Sequence, residues 1–187
     1  MADIKIVITG PFNSGKTEFI RTISEIGVVN TDQPITNPDE QVKETTTVAI
    51  DYGKLTLDED FVLYLFGTPG QARFRHMWEI LSRDMLGYIV MVDSTDPKSV
   101  EKAKEIIRIF SAYAPVPFIV AANKQDLEDA MPLEEIKEKL GLPPNIKVVP
   151  CKAIDKESVR EVIIALAQTV LEWFEEMERY EEGEEEE

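Results

Sequence analysis

The sequence predicts an α/β fold: a six-stranded, mostly parallel sheet with helices on both faces. Three observations carry that prediction. Short β-branched or apolar runs (residues 4–9, 88–93, 118–122 and 147–150) alternate with segments of helical period, the order that parallel strands need for their crossovers. The first run leads straight into a glycine-bounded loop, residues 10–15, and then into a helix. One pair of alternating runs, residues 48–57 and 61–66, flanks Asp58-Glu59-Asp60 and reads as a hairpin, the one antiparallel pair of the sheet.

Taken in order, residues 4–9 form a strand because β-branched side chains suit a pleated, half-buried surface. Residues 15–26 read as the first helix. Residues 28–44 are polar, carry Pro34 and Pro38, and have no period. A stretch of that length inside a compact domain is functional or mobile rather than a plain connection. After the hairpin, residues 67–77 are again irregular and continue into a short helix ending near Met85. Residues 88–93 and 118–122 are continuous apolar runs of the kind buried on both faces. Between them Pro97, which suits a first helical turn, opens a helix reaching about Ala112. Residues 132–140 read as a short helix and 147–150 as the last strand. From Glu157 to about Tyr180, Val159, Val162, Ile163, Leu166, Val170 and Phe174 recur at helical spacing, so a long helix is expected to lie on the sheet. Residues 1–180 are expected to be one domain and 181–187 an acidic, disordered tail.

With 187 residues, 43 % of them apolar, the chain can bury an ordinary core. The formal net charge of −16 argues against nucleic acid, whose phosphates need a basic patch. It does not argue against a nucleotide, which needs only a nest of N–H groups and one lysine. No apolar run approaches the roughly 18 residues that span a bilayer. Cys151 is the single cysteine, so neither an intramolecular disulfide nor a cysteine-based metal cluster is available. Ala2 stands where N-myristoylation requires glycine, and the last four residues are glutamates where a prenylated cysteine would be needed. No direct lipid anchor and a cytoplasmic location are therefore expected.

Gly10-Pro11-Phe12-Asn13-Ser14-Gly15-Lys16-Thr17 fits G-x-x-x-x-G-K-[ST] at every defined position, with a strand before it and a helix after. Gly10 and Gly15 let the backbone curl so that the N–H groups through Asn13, Ser14 and Gly15 point at phosphate oxygens. The helix that follows adds the positive end of its dipole. Lys16 places a compact charge on the terminal phosphates, and Thr17 offers its hydroxyl to Mg²⁺, which prefers hard oxygen ligands. This loop alone indicates a nucleoside triphosphate.

Asn123-Lys124-Gln125-Asp126 follows a buried-type strand. Guanine presents two adjacent donors, N1–H and the 2-amino group, and the carboxylate of Asp126 can accept both. Adenine has an unprotonated N1 and a C–H there and would leave that carboxylate unpaired. Together the two motifs resemble those of the Ras-like superfamily of small GTPases, over about residues 4–173. The resemblance implies a P-loop NTPase fold of the small G-domain type. It implies that Lys124 lays its stem over the base and that Asn123 ties this loop to the phosphate loop. A second base contact, written S-A-K in the family, falls on Pro150-Cys151-Lys152-Ala153. Lys152-Ala153 is the best match, with the Ala153 N–H meeting the guanine oxygen, and the register is open by one residue. Cys151 flanks this pocket or is a small core residue.

The same resemblance extends to two switch segments. Thr45-Thr46-Thr47-Val48-Ala49-Ile50-Asp51-Tyr52 is similar to T-x-G-x-D-F, which aligns Thr47 with the threonine that reaches Mg²⁺ and the γ-phosphate; Thr46 is the alternative register. Gly67-Thr68-Pro69-Gly70-Gln71-Ala72-Arg73-Phe74-Arg75 is similar to D-x-x-G-Q-E-R-F. There Gly70 is implied to meet the γ-phosphate with its N–H, and Gln71 to orient the attacking water. Two positions depart from the pattern. Gly67 stands where most relatives carry an aspartate on the Mg²⁺ water shell, and with the following x-P-G-Q looks like the MglA-type and related prokaryotic GTPases. Phe12 is bulky where several relatives have glycine. Arg73 and Arg75 either lend charge to the transition state or belong to a partner-binding surface, and Trp78 is a packing residue or part of an effector surface.

The expectation is a switch that binds GTP or GDP with Mg²⁺. GTP orders Thr47 and Gly70, slow hydrolysis assisted by Gln71 and Lys16 releases them, and protein effectors and an activating protein read the difference. The alternative is a guanine-nucleotide-binding module with little or no hydrolysis. A third reading, an ATP-dependent kinase or ATPase, requires ATP to compete at concentrations close to those of GTP.

Overall fold

The computed structural model describes residues 2–27, 50–70 and 74–184, the last four of these by backbone alone. Its elements run β1 (Ala2–Thr9), α1 (Lys16–Ile23), β2 (Asp51–Thr56), β3 (Phe61–Gly67), α2 (His76–Ser82), β4 (Gly87–Asp93), α3 (Pro97–Tyr113), β5 (Phe118–Asn123), α4 (Leu133–Leu140), β6 (Val148–Cys151) and α5 (Lys156–Glu184). The strands form one sheet in the order β2-β3-β1-β4-β5-β6. Only β2 and β3 pair antiparallel; every other neighbour is parallel. This is the expected six-stranded sheet with its one hairpin.

The central strands alternate sides, which splits the core in two. Ile6, Ile8, Ile89, Met91, Ile119 and Ala121 face α1 and α5, where they meet Phe19, Ile20, Val162 and Leu166. Val7, Tyr88, Val90, Val92, Val120 and Ala122 face the other way, against Trp78 of α2, Val100 and Phe110 of α3, and Ile136 of α4. Helices therefore cover both faces. β1 lies between β3 and β4, the place where the strand order reverses and where open sheets of this kind leave a crevice at the carboxyl ends of the strands.

Three helix ends differ from the sequence pattern, two of them for a local reason. α1 stops at Ile23 because Ser24 turns extended, and its hydroxyl accepts the N–H groups of Ile26 and Lys54, pulling the chain toward β2. α2 stops at Ser82, and Asp84 then takes a left-handed φ of 57°, which ends the turn before Met85. α5 runs to Glu184, four residues into the segment read as a tail, while residues 185–187 lie outside the described residues. The buried stripe of α5 ends at Val170. Phe174, expected on it, is 43 % exposed and packs edge-on against Trp173. Among the described residues no helix is long and apolar enough to cross a membrane.

Candidate functional site

The loop after β1 is curled by three residues at positive φ: Gly10 at 146°, Asn13 at 65° and Gly15 at 103°. Such a run makes a concave nest of backbone N–H groups. A Cβ on Gly15 would lie 2.2 Å from the side-chain nitrogen of Asn123, so glycine is required by space as well as by φ. Gly15 caps α1 without a side-chain hydrogen bond, so the first amides of the helix have no side-chain cap.

Lys16 is 8 % exposed. Its Nζ donates to the carbonyls of Gly10 (2.7 Å) and Pro11 (2.6 Å) and, at 3.4 Å, to Ser14 Oγ. Burial lowers its pKa to about 8, against the opposing pull of the Asp51 carboxylate. Thr17 Oγ1 donates to Asp51 Oδ2 at 2.5 Å. Asp51 begins β2, where it pairs directly with Gly67 at the end of β3.

The segment expected to read the base leaves β5. Asn123 is buried, and its Nδ2 donates to the carbonyl of Ser14 at 3.0 Å, across 109 residues of chain. Its Oδ1 accepts the N–H groups of Lys124 and Ala153, both at 2.9 Å. One amide thus joins the loops after β1, β5 and β6. Lys124 adopts a φ of 65°, and its ammonium donates to Asp93 at the end of β4. Burial acts to raise the pKa of Asp93, but hydrogen bonds from Lys124 and Thr95 outweigh it and hold the carboxyl low. Gln125 donates to Ser94 Oγ and the Met131 carbonyl, which braces the segment from beneath. Asp126 is exposed and forms an ion pair with Lys152 at 3.5 Å.

The Ala153 N–H, expected to meet the guanine oxygen, is directed at Asn123, and the Lys152 N–H donates to Ser158 Oγ at 2.8 Å. Cys151 sits in the core at 1 % exposure, and burial pushes its thiol up to about 12. It is a small core residue directly behind Asn123, with which it pairs in register.

A Cβ on Gly70 would come within 2.8 Å of the Phe12 backbone and 3.2 Å of Lys16 Nζ, so Gly70 lies against the loop after β1. Trp78, 2 % exposed, donates from Nε1 to the Pro69 carbonyl at 3.0 Å and fixes that approach. It is therefore a packing residue, not an exposed effector surface. Arg75 is turned to α3, where it pairs with Glu105 at 3.0 Å. Phe12 projects from the loop at 69 % exposure. Thr45, Thr46, Thr47, Gln71 and Arg73 lie outside the described residues.

Compared with known proteins, residues 1–170 match the model of the ADP-ribosylation factor family. The chain belongs to the ADP-ribosylation factor family. It is 29 % identical to human ADP-ribosylation factor-like protein 4C over 176 residues, which cover 90 % of this chain and 87 % of that one. It is 30 % identical to human ADP-ribosylation factor-like protein 4A over 141 residues, 73 % of this chain and 66 % of that one. An uncharacterized protein of Methanocaldococcus jannaschii is 33 % identical over 129 residues, 68 % of this chain and 73 % of its own length. As an ADP-ribosylation factor relative, the chain is a Ras-like small GTPase of the switch type. The particular closeness to MglA-type proteins read from Gly67 draws no support from these matches.

ADP-ribosylation factor family proteins bind guanine nucleotides, generally with Mg²⁺. The residues here suit that ion: a hydroxyl and a carboxylate, Thr17 and Asp51, stand 2.5 Å apart at the foot of the nest, both hard oxygen donors. Two acidic residues, Asp51 and Asp93, adjoin these loops without having been singled out as site candidates from the sequence. Asp93 could be found only as the polar end of an apolar run. Asp51 stands at the D of the T-x-G-x-D-F match, but its place opposite Gly67 emerges only when the hairpin is set in register.

Proposed function

We propose that this chain holds GTP or GDP with Mg²⁺ at the carboxyl ends of its strands and hydrolyses GTP slowly unless an activating protein assists. Residues 1–180 act as one unit. Gly10, Asn13, Ser14, Gly15 and Lys16 hold the phosphates, and Thr17 and Thr47 hold the metal. Asn123, Lys124, Asp126 and Lys152 form the guanine end, and Ala153 supports it through its N–H to Asn123. The bound ion would supply positive charge to the phosphate oxygens.

The observation that carries this reading is the 3.0 Å bond from Asn123 to the Ser14 carbonyl, because it locks a base-reading segment onto a phosphate nest. Lys16 exchanges its carbonyl partners for phosphate when the nucleotide enters. Gly70, already beside Lys16, offers its N–H to the γ-phosphate, and loss of that phosphate releases the segment. Gln71 orients the attacking water, since this transition state depends on positioning more than on a strong base. Effectors and an activating protein read the two switch segments, in the cytoplasm.

Gln71→Leu is expected to slow single-turnover phosphate release at saturating Mg²⁺ by about 10- to 100-fold, the scale at which a misplaced reactant loses rate. A rate equal to that of the parent removes Gln71 from the catalytic step. The second reading, a nucleotide-binding module that hardly turns over, is favoured by Phe12 projecting beside Gly70 and by the missing carboxylate at Gly67. That reading predicts negligible release from the parent itself.

A further inference from the structure

We infer that Asp51 performs for the nucleotide's Mg²⁺ the outer-shell role that the family assigns to a carboxylate at position 67, moved across the hairpin to the neighbouring strand. This rests on the proposed binding of a Mg²⁺–nucleotide. Three observations point to it. Asp51 and Gly67 are direct partners in the β2–β3 register. A Cβ built on Gly67 would stand 3.1 Å from Asp51 Cβ and 3.4 Å from its Oδ2, so the Asp51 carboxylate fills the space that a side chain at 67 would enter. That carboxylate accepts the hydroxyl proton of Thr17 at 2.5 Å.

The chemistry follows from the third point. A hydroxyl that gives its proton to a carboxylate turns its lone pairs elsewhere, where a cation can take one. The carboxylate also adds negative charge behind the hydroxyl, and outer-shell partners of this kind set metal affinity without touching the metal. The glycine at 67 is then not a loss of the metal site but the counterpart of Asp51: two carboxylates on that antiparallel pair would crowd and repel each other. Asp51 is a positioning residue in this scheme.

The test reads metal binding rather than turnover. Fluorescent GDP is loaded on the parent, on Asp51→Asn, and on the swapped pair Asp51→Gly with Gly67→Asp, and its release rate is followed across free Mg²⁺. Mn²⁺ occupancy is measured in parallel by electron paramagnetic resonance. Asp51→Asn is expected to raise the half-saturating Mg²⁺ by about 10- to 100-fold. In EDTA its GDP affinity should equal that of the parent. The swapped pair should recover most of the Mg²⁺ dependence. Gly67 lies outside the left-handed region, so its backbone accepts a side chain, and only the flexible end of Ile20, 3.0 Å away, has to shift. Mg²⁺ dependence unchanged in Asp51→Asn overturns the inference, as does a swapped pair that melts like the parent yet binds Mg²⁺ no better than Asp51→Asn. A parent chain that holds no GDP even in excess Mg²⁺ refutes the nucleotide site itself.

Discussion

Asp126→Asn is expected to weaken GTP binding by about 10²- to 10⁴-fold and to turn the preference toward xanthosine triphosphate. The parent carboxylate is acceptor-only and can take both the N1–H and the 2-amino group of guanine. An amide offers one acceptor and one donor. Its NH₂ then faces the guanine 2-amino group, and two donors are left without acceptors, each costing about 1–3 kcal/mol when removed from water. Xanthine replaces that amino group with an oxygen, which accepts from the new amide and restores both bonds. The substitution also dissolves the 3.5 Å ion pair with Lys152, an exposed contact worth little by itself. The loss should therefore appear in nucleotide affinity and not in folding. Displacement of fluorescent GDP by GTP and by xanthosine triphosphate measures it. Equal GTP affinity in the variant and the parent refutes the role of Asp126.

Lys16→Met is expected to lower triphosphate affinity by at least about 10³-fold, because it removes the buried cation held among the carbonyls of the loop. It carries a second signature in pH. The folded chain holds the Lys16 pKa at about 8, against 10.5 for the free side chain, because burial disfavours the charged form. Between those values the unfolded chain keeps a proton that the folded chain has lost. Stability attributable to Lys16 is therefore lowest below about pH 8 and rises as pH climbs toward 10.5. Urea midpoints across that window should rise more steeply for the nucleotide-free parent than for Lys16→Met. A phosphate brought against the ammonium opposes the burial effect, so GTP binding near pH 9 should take up a proton in the parent and none in the variant. Calorimetry in two buffers of different ionisation enthalpy reads that proton.

Why these residues and not others were legible follows from how each signal is written in the chain. Residues 10–17 and 123–126 are contiguous, and their chemistry demands fixed residue types at fixed spacing. The strands were legible because 88–93 and 118–122 are apolar on both faces, and the one hairpin because its alternation brackets an acidic turn. Helix ends were less so, since Ser24 and Asp84 act through local bonds and backbone twist that periodicity does not record. Asp51 depends on cross-strand register, and Asp93 on the side-by-side placement of β4 and β5. Neither relation exists along the sequence. Arg75, which the motif leaves between the transition state and a partner-binding surface, pairs on the surface with Glu105 of α3, thirty residues onward, a partner that no motif spacing records. Ala153 was placed by motif alone, and its N–H is set by the position of Asn123.

Competition between GTP and ATP for the Mg²⁺-loaded parent bears most directly on the claim that one molecule is held by its phosphates at residues 10–17 and by its base at Asp126. GTP should displace bound fluorescent GDP at concentrations about 10⁴-fold below those of ATP, the discrimination available to a site that pairs buried polar groups with the correct base. Displacement by ATP at the same concentrations as GTP would contradict it.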